Sequence, residues 1–444
     1  MFRILSTYIF TNREFILLLL VWLIAGIFGG VLIFILLPLS LLLLRYKERY
    51  EELLLGFFFI LILSDSRQPE LRFASDLKEI YILMLSLILI FNRKYFTPFN
   101  NFYQKFIPFF IIAFIAILKS EVISLSFQKT LSYVLLFLIV PNYVQKIWTE
   151  RGEEFLRNLI YLGGFILLLG LILIFILPDK VYYTDRYSGI FGNPNGLGIF
   201  CFLFFLLTAS ITHFYPNILS RYEKFFIYGL LFTSLIWSGS RSVLLAVLIF
   251  LFFKQFYTIS PYLGFIIFLT FIISYDLITS NFTQIIMSVG LGEFFRIDTL
   301  ESGSGRVIAW NFAWENIQQN FFLGKGFEHT NYIFKQNSVA LSILGHQGHA
   351  HNSFLTFWLD TGLLGLIAFV AALFLSFLKA AKNSIIALPV FYAVLFSVFF
   401  ESWLTASLNP FTIQLVIILT ILLSFHTVEK IRNTVSAETN SHDS

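Results

Sequence analysis

Hydrophobic positions along this chain fall into long unbroken runs separated by short polar breaks, not into the alternating or three-to-four spaced patterns of soluble elements. The first run, Phe15 to Leu44, holds 30 residues, too many for one membrane span of roughly 20 residues. Its centre reads AGIFGG (Ala25 to Gly30), which predicts a turn and so a hairpin of two short helices. Further apolar segments lie near 53–64, 80–91, 106–118, 130–145, 158–177, 196–214, 225–237, 243–257, 259–280, 352–378, 384–402 and 410–426. The pattern predicts an all-α polytopic membrane bundle of 14 crossings, or 12 where two of the shorter segments are re-entrant or interfacial.

The same pattern divides the chain. Residues 1–280 form a first set of transmembrane helices, 281–351 one long outer loop, 352–426 the last crossings, and 427–444 a short polar tail expected to fray. Within the loop, RVIAWNFAWENIQQN (Arg306 to Asn320) spaces Val307, Trp310, Trp314 and Ile317 as one helical face. Its two Trp predict an amphipathic helix lying on the outer bilayer surface, and GKG (Gly324 to Gly326) offers a stop.

Composition narrows the class. A chain of 444 residues with 58% hydrophobic and 13% charged residues and a mean hydropathy of +0.81 is neither a soluble enzyme, a disulfide scaffold nor a disordered chain. The net charge of +4 is small for this length, and with no basic arm interleaved with aromatics, nucleic acid is not an expected partner. The single cysteine, Cys201, lies in an apolar run, so no intramolecular disulfide or cysteine-based metal site is expected. Of the 30 Lys and Arg, 18 collect in alternate segments, among them Arg45, Arg93, Arg151, Lys379 and Arg432. By the positive-inside rule both termini are expected in the cytoplasm and the long loop outside.

Ionisable side chains are nearly absent from the apolar runs and gather on one side: under this topology Asp185, Arg186, Arg241, Arg306, Lys325, His346, His349, His351 and Glu401 all map outward. A coupled transporter needs charged residues near the midplane. Outward clustering favours chemistry on a lipid-bound substrate, with a lipid-linked glycan transporter as the alternative of another class.

Four stretches carry candidate chemistry. DRYSGIFGNPNGLG (Asp185 to Gly198) feeds a helix start with Gly and Asn, an arrangement that presents backbone N–H groups to an anion beside Arg186, or else a loop capped by Asn193 or Asn195. SGSR (Ser238 to Arg241) interrupts apolar residues with an arginine that must sit in a turn or face a polar cavity. SGSGR (Ser302 to Arg306) repeats the glycine-then-arginine theme without P-loop spacing, so it is no nucleotide site. GHQGHAHNSF (Gly345 to Phe354) holds His346, His349 and His351. These suit a general base, a helix cap, or a metal, the last disfavoured by the missing cysteine and the distance in sequence to carboxylates.

In this order, and followed by HNSFLTFWLDTGLLGLIAF (His351 to Phe369), these motifs resemble the O-antigen ligase and polymerase superfamily of bacterial envelope enzymes. The resemblance covers roughly residues 180 to 370, and its most specific part is HNS with GLLGL. It implies a GT-C-like glycosyltransferase of the inner membrane that uses no metal or other cofactor and works at the periplasmic face. The donor it implies is a glycan on undecaprenyl diphosphate. Carried onto these positions, Arg186, Arg241 and Arg306 hold the diphosphate and His351 is the base, with His349 two residues away as the competing assignment. The acceptor is lipid A–core for a ligase, the preferred reading, or a second lipid-linked glycan for a polymerase.

Overall fold

The computed structural model describes residues 12–93, 96, 102–257, 259–274, 288, 306–346 and 348–442. In chain order the helices begin with α1 (Arg13–Phe28), α2 (Leu32–Tyr46), α3 (Tyr50–Ser64) and α4 (Phe73–Phe91). Next come α5 (Ile107–Ile117), α6 (Ile123–Arg151), α7 (Glu153–Ile176) and the single turn α8 (Pro178–Val181). A two-stranded antiparallel ribbon, β1 (Tyr182–Tyr183) with β2 (Arg186–Tyr187), pairs Tyr183 with Arg186. Then follow α9 (Pro194–Phe214), α10 (Arg221–Ser238), α11 (Arg241–Tyr257) and α12 (Pro261–Ile273). Beyond them lie α13 (Arg306–Gln319), α14 (His329–Gln336) and α15 (Ser338–Ile343). The chain closes with α16 (Ser353–Ala381), α17 (Ala387–Phe400) and α18 (Pro410–His442).

Each apolar run has become a helix because an apolar solvent leaves the backbone no other way to satisfy its own polar groups. The break at AGIFGG is real: α1 ends at Phe28 and Gly30 adopts φ +53° before α2 begins. Among the described residues five helices are long and apolar enough to cross a membrane, namely α6, α7, α9, α16 and the Pro410–Arg432 part of α18; three shorter apolar stretches are Leu32–Tyr46, Tyr103–Ile117 and Ala387–Phe400. The protein is an all-α, multi-pass membrane protein. Its last helix does not stop near Phe425: α18 continues to His442, since Val428 is buried, Glu429 accepts from Tyr215 Oη, and an i,i+3 pair joins Glu429 to Arg432 at 3.4 Å.

The chain divides into two compact units. The first comprises residues 1–103, 132–244 and 407–444. Its core is built on α9, where Phe200, Cys201, Phe202, Leu203 and Leu206 are all buried. Phe200 stacks on Phe58 and meets Phe191, which in turn stacks on Phe411.

The second unit comprises residues 104–131 and 245–406. Here α16 is not one straight helix. Gly362 sits at φ +75°, ψ 175° and splits it into two arms. The stretch Phe321 to Gly326 crosses this break and replaces the lost helical bonds: Gly326 N–H donates to Asp360 O at 2.7 Å and Leu363 N–H to Phe321 O at 2.9 Å. A Cβ at Gly324 would collide with the Asp360 backbone, and one at Gly362 with the Phe322 carbonyl. The glycines of GKG and GLLGL are thus one packing device, and GKG is not the stop of the loop helix, which ends five residues earlier at Gln319.

That loop helix, α13, packs inward mainly through small side chains and leaves Val307 and Trp314 of the predicted face exposed. Ala309, Ala313 and Ile317 face the core with Ile333, Phe334, Leu341, Ala350 and Leu359, while Val307 and Trp314 are exposed. The small side chains let the helix approach closely, and the two Trp lie on its flank.

Candidate active site

In the first unit the sequence motifs at 185–198 and 238–241 meet. Asn193 caps α9 by accepting from Gly196 N–H at 2.9 Å. Asn195 does something else: its Oδ1 accepts from Arg186 Nη2 at 2.9 Å, while Arg186 Nε donates to Ser238 O at 2.8 Å. Arg186 therefore ties the glycine-rich loop to the end of α10. That end is closed by Gly239 at φ +60°, beside the Arg186 guanidinium. Arg241 follows as the first residue of α11, so SGSR is a helix-to-helix turn that carries one arginine and is gripped by another.

A carboxyl that sequence reading passed over lies at the same loop. Asp65, just past the end of α3, accepts from Gly192 N–H, and burial pushes its carboxyl up from the usual range to about 7. Its Oδ2 is sealed from solvent with no hydrogen-bond partner among the described residues.

In the second unit Arg306 and His351 converge on one carboxylate. Arg306 Nη2 donates to Glu401 Oε1 at 3.0 Å, and His351 Nδ1 lies 3.7 Å from Glu401 Oε2. Glu401 is 7% exposed, Arg306 23% and His351 32%, so the carboxylate is sealed and its two partners reach toward solvent. Ser353 Oγ fixes the Glu401 backbone by donating to its carbonyl at 2.7 Å, and Arg306 also lies over the Phe400 ring. Glu401 ends the apolar run of α17; its place at the end of that run is legible in the sequence, but its role as the hub is not, because 95 residues separate it from Arg306.

The histidine segment is shaped by its backbone. Gly345, Gly348 and His351 adopt φ +88°, +115° and +47°; the last is a left-handed conformation costly for a residue with a side chain and persists only where the surroundings impose it. Trp310 Nε1 donates to Ala350 O at 3.0 Å. Asn352, not a histidine, caps α16, accepting from Phe354 and Leu355 N–H at 2.9 and 3.0 Å. The capping alternative for His351 is thereby filled by its neighbour.

His346 and His351 stand edge to face, ring centroids 6.0 Å apart at 90°. Burial, and then the neighbouring His351, hold both His346 and His349 below the ordinary imidazole range. His349 also feels Lys129 and Glu328, which pair at 2.6 Å. Among the described residues no group of three His, Cys, Asp or Glu is placed to hold a metal ion. Ser302 to Gly305 lie outside the described residues.

Such an arrangement can hold an anion through Arg306, take a proton at the His351 nitrogen turned away from Glu401, and stabilise the resulting imidazolium with a fixed carboxylate. No curated protein matches the chain. Residues 226–370 match the family model described as O-antigen ligase. That stretch contains Arg241, Arg306, His346, His349 and His351, and leaves out Arg186, Asp65 and Glu401. The match overlaps the motif resemblance from Arg241 to the histidine segment, and it supports the O-antigen ligase and polymerase superfamily as the family to which this multi-pass membrane protein is similar.

Proposed function

We propose that the protein is a metal-independent, inverting glycosyltransferase that moves a glycan from undecaprenyl diphosphate to a sugar hydroxyl, with lipid A–core as the acceptor. The observation that carries this reading is the Arg306–Glu401–His351 array, in which a guanidinium and an imidazole share one buried carboxylate. The acceptor oxygen attacks the anomeric carbon while His351 takes its proton; the bond from that carbon to the diphosphate oxygen breaks, and polyprenyl diphosphate leaves with the electron pair. Negative charge grows on the leaving group, so fixed cations lower the barrier more than they bind the ground state. Arg306 is the proposed diphosphate ligand of the second unit, and Arg186 and Arg241 are those of the first; His349 is the runner-up to His351 as base.

In the same reading the site faces the periplasm of the inner membrane and both termini face the cytoplasm, with 281–351 as the loop that bears the base. The test is reconstitution of the purified protein with a lipid-linked oligosaccharide donor and, in separate reactions, lipid A–core or a second lipid-linked oligosaccharide. Growth of lipid A–core supports the ligase. Growth of the lipid-linked chain alone makes the protein a polymerase, and turnover of neither, with movement of the donor between leaflets, makes it a transporter.

A further inference from the structure

Among the described residues of the second unit, two that are not glycine hold left-handed backbone: His351, and Glu328 at φ +73°. Such strain persists only where the surroundings impose it, and it gathers at functional sites. Glu328 opens α14 without capping it; the cap is Asp360, whose Oδ1 accepts from Thr330 N–H at 2.9 Å. A glycine would make this turn without strain, and a partly exposed ion pair stabilises by no more than the strain costs. The turn alone therefore gives no reason for a glutamate.

The Glu328 carboxylate is held at both oxygens. Lys129 Nζ donates to Oε1 and Asn331 Nδ2 to Oε2, each at 2.6 Å. The turn is also clamped to α6, the helix that carries Lys129: Ser126 Oγ donates to Phe327 O, and a Cβ at Gly326 would strike that hydroxyl. Burial opposes the charge, but Lys129, Asn331 and His349 outweigh it and keep the Glu328 carboxyl below the usual range. A carboxylate accepts about four hydrogen bonds. The bonds from Lys129 and Asn331 leave lone pairs over, on a side chain that is 27% exposed and so within reach of a ligand.

This carboxylate belongs to the same field as the candidate base. His349 is exposed and feels the charges of His351, Lys129 and Glu328. Interactions thus run from Arg306 through Glu401, His351 and His349 to Glu328, with a cation at one end and an anion at the other. An anion there repels a diphosphate and attracts O–H donors, and the bond it accepts from a hydroxyl is charge-assisted. We propose that Glu328, with Asn331 beside it, binds the acceptor sugar through its hydroxyl groups and holds it next to the histidine that takes its proton. This rests on the reading of the protein as a glycan transferase.

The experiment uses the full-length protein in lipid nanodiscs with two readouts. One is transfer from a lipid-linked oligosaccharide to lipid A–core or to a second lipid-linked oligosaccharide; the other is calorimetric binding of each acceptor glycan freed of its lipid. Glu328→Gln, which loses the charge, should weaken acceptor binding and raise the acceptor KM about 10-fold, and Glu328→Gly, which loses the group, on the order of 100-fold, with the donor KM unchanged in both. Glu328→Gly also relieves the strain at φ +73°, so it should unfold no lower in temperature than Glu328→Gln. A purely structural role predicts that Glu328→Gly is the less stable variant and that donor and acceptor KM rise together. That pattern, wild-type acceptor affinity in Glu328→Gln, or a wild-type protein that binds neither glycan overturns the proposal. Transfer that continues while binding ignores Glu328 defeats this site and leaves the transferase reading standing; binding that depends on Glu328 without transfer to either acceptor defeats the transferase reading and keeps the site.

Discussion

Replacing Glu401 by Gln keeps the shape of the hub and removes its charge. At 3.0 Å from Arg306, a carboxylate in a medium of effective dielectric ~20 interacts with the guanidinium by roughly 5 kcal/mol before desolvation is charged against it, and at 3.7 Å from His351 with an imidazolium by a similar amount once one has formed. Removing one member of a fully buried pair costs about 3–5 kcal/mol. Arg306 is 23% exposed, so solvent offsets part of this, and the expected loss of folding stability is about 2 kcal/mol. Turnover should suffer more, because the imidazolium forms only as the acceptor proton is transferred and then lacks its fixed counter-charge. Keeping about 3 kcal/mol of that interaction corresponds to a fall in kcat on the order of 100-fold. Glu401→Asp, one methylene shorter, cannot hold both partners at these distances and should fall between the two. The assay is steady-state transfer from a lipid-linked donor in nanodiscs, with thermal unfolding of the same preparations read separately. Wild-type kcat in Glu401→Gln would refute the carboxylate's role in proton transfer even if stability fell as expected.

The other predictions address the remaining pieces. Arg306→Lys keeps the charge and loses the planar fork, so transfer should drop at least 10-fold with normal membrane insertion; near-normal transfer removes Arg306 from the diphosphate. Gly362→Ala puts a Cβ into the Phe322 carbonyl at φ +75°, and a cost of about 3 kcal/mol or more should appear as poor recovery of folded protein, whereas full recovery means the broken helix can straighten. For Asp65, whose carboxyl burial raises to about 7, the folded state holds its proton up to neutral pH and the unfolded chain releases it near 4. Stability should therefore fall as pH rises from about 4 to 7, and Asp65→Asn, which still accepts from Gly192, should gain over wild type by about 2 kcal/mol at pH 8 and little at pH 4; an equal difference at both refutes the linkage. Orientation is read by thiol labelling in a Cys201→Ser background: Thr184→Cys and Gln336→Cys should react with an impermeant reagent from the periplasm and Asn383→Cys should not, and the reverse pattern turns the site to the cytoplasm.

The helices were legible from the residues alone, because a long apolar run in lipid has only one way to satisfy its backbone, and the runs at 158–177, 196–214 and 352–378 each appear as helices close to those limits. The unusual residues were legible there too: Arg186, Arg241, Arg306 and the three histidines stand out beside apolar runs whose interiors carry almost no charge. What the sequence could not supply is partnership across distance. The Trp spacing of α13 does not reveal that Ala309 and Ala313, whose small side chains allow a close approach, are the residues that pack inward. Asn352, not His351, takes the cap of α16, a choice made by backbone angles within three residues. The run from His351 to Phe369 reads as one crossing, yet Gly362 breaks it, and only the Phe321 to Gly326 segment, some 40 residues upstream, makes that break tolerable by restoring the lost hydrogen bonds. Glu401 becomes a hub only when α17 ends beside the start of α13, bringing a carboxylate to Arg306 and His351. Such pairings depend on where helices end in space, which local propensity does not encode and tertiary packing decides.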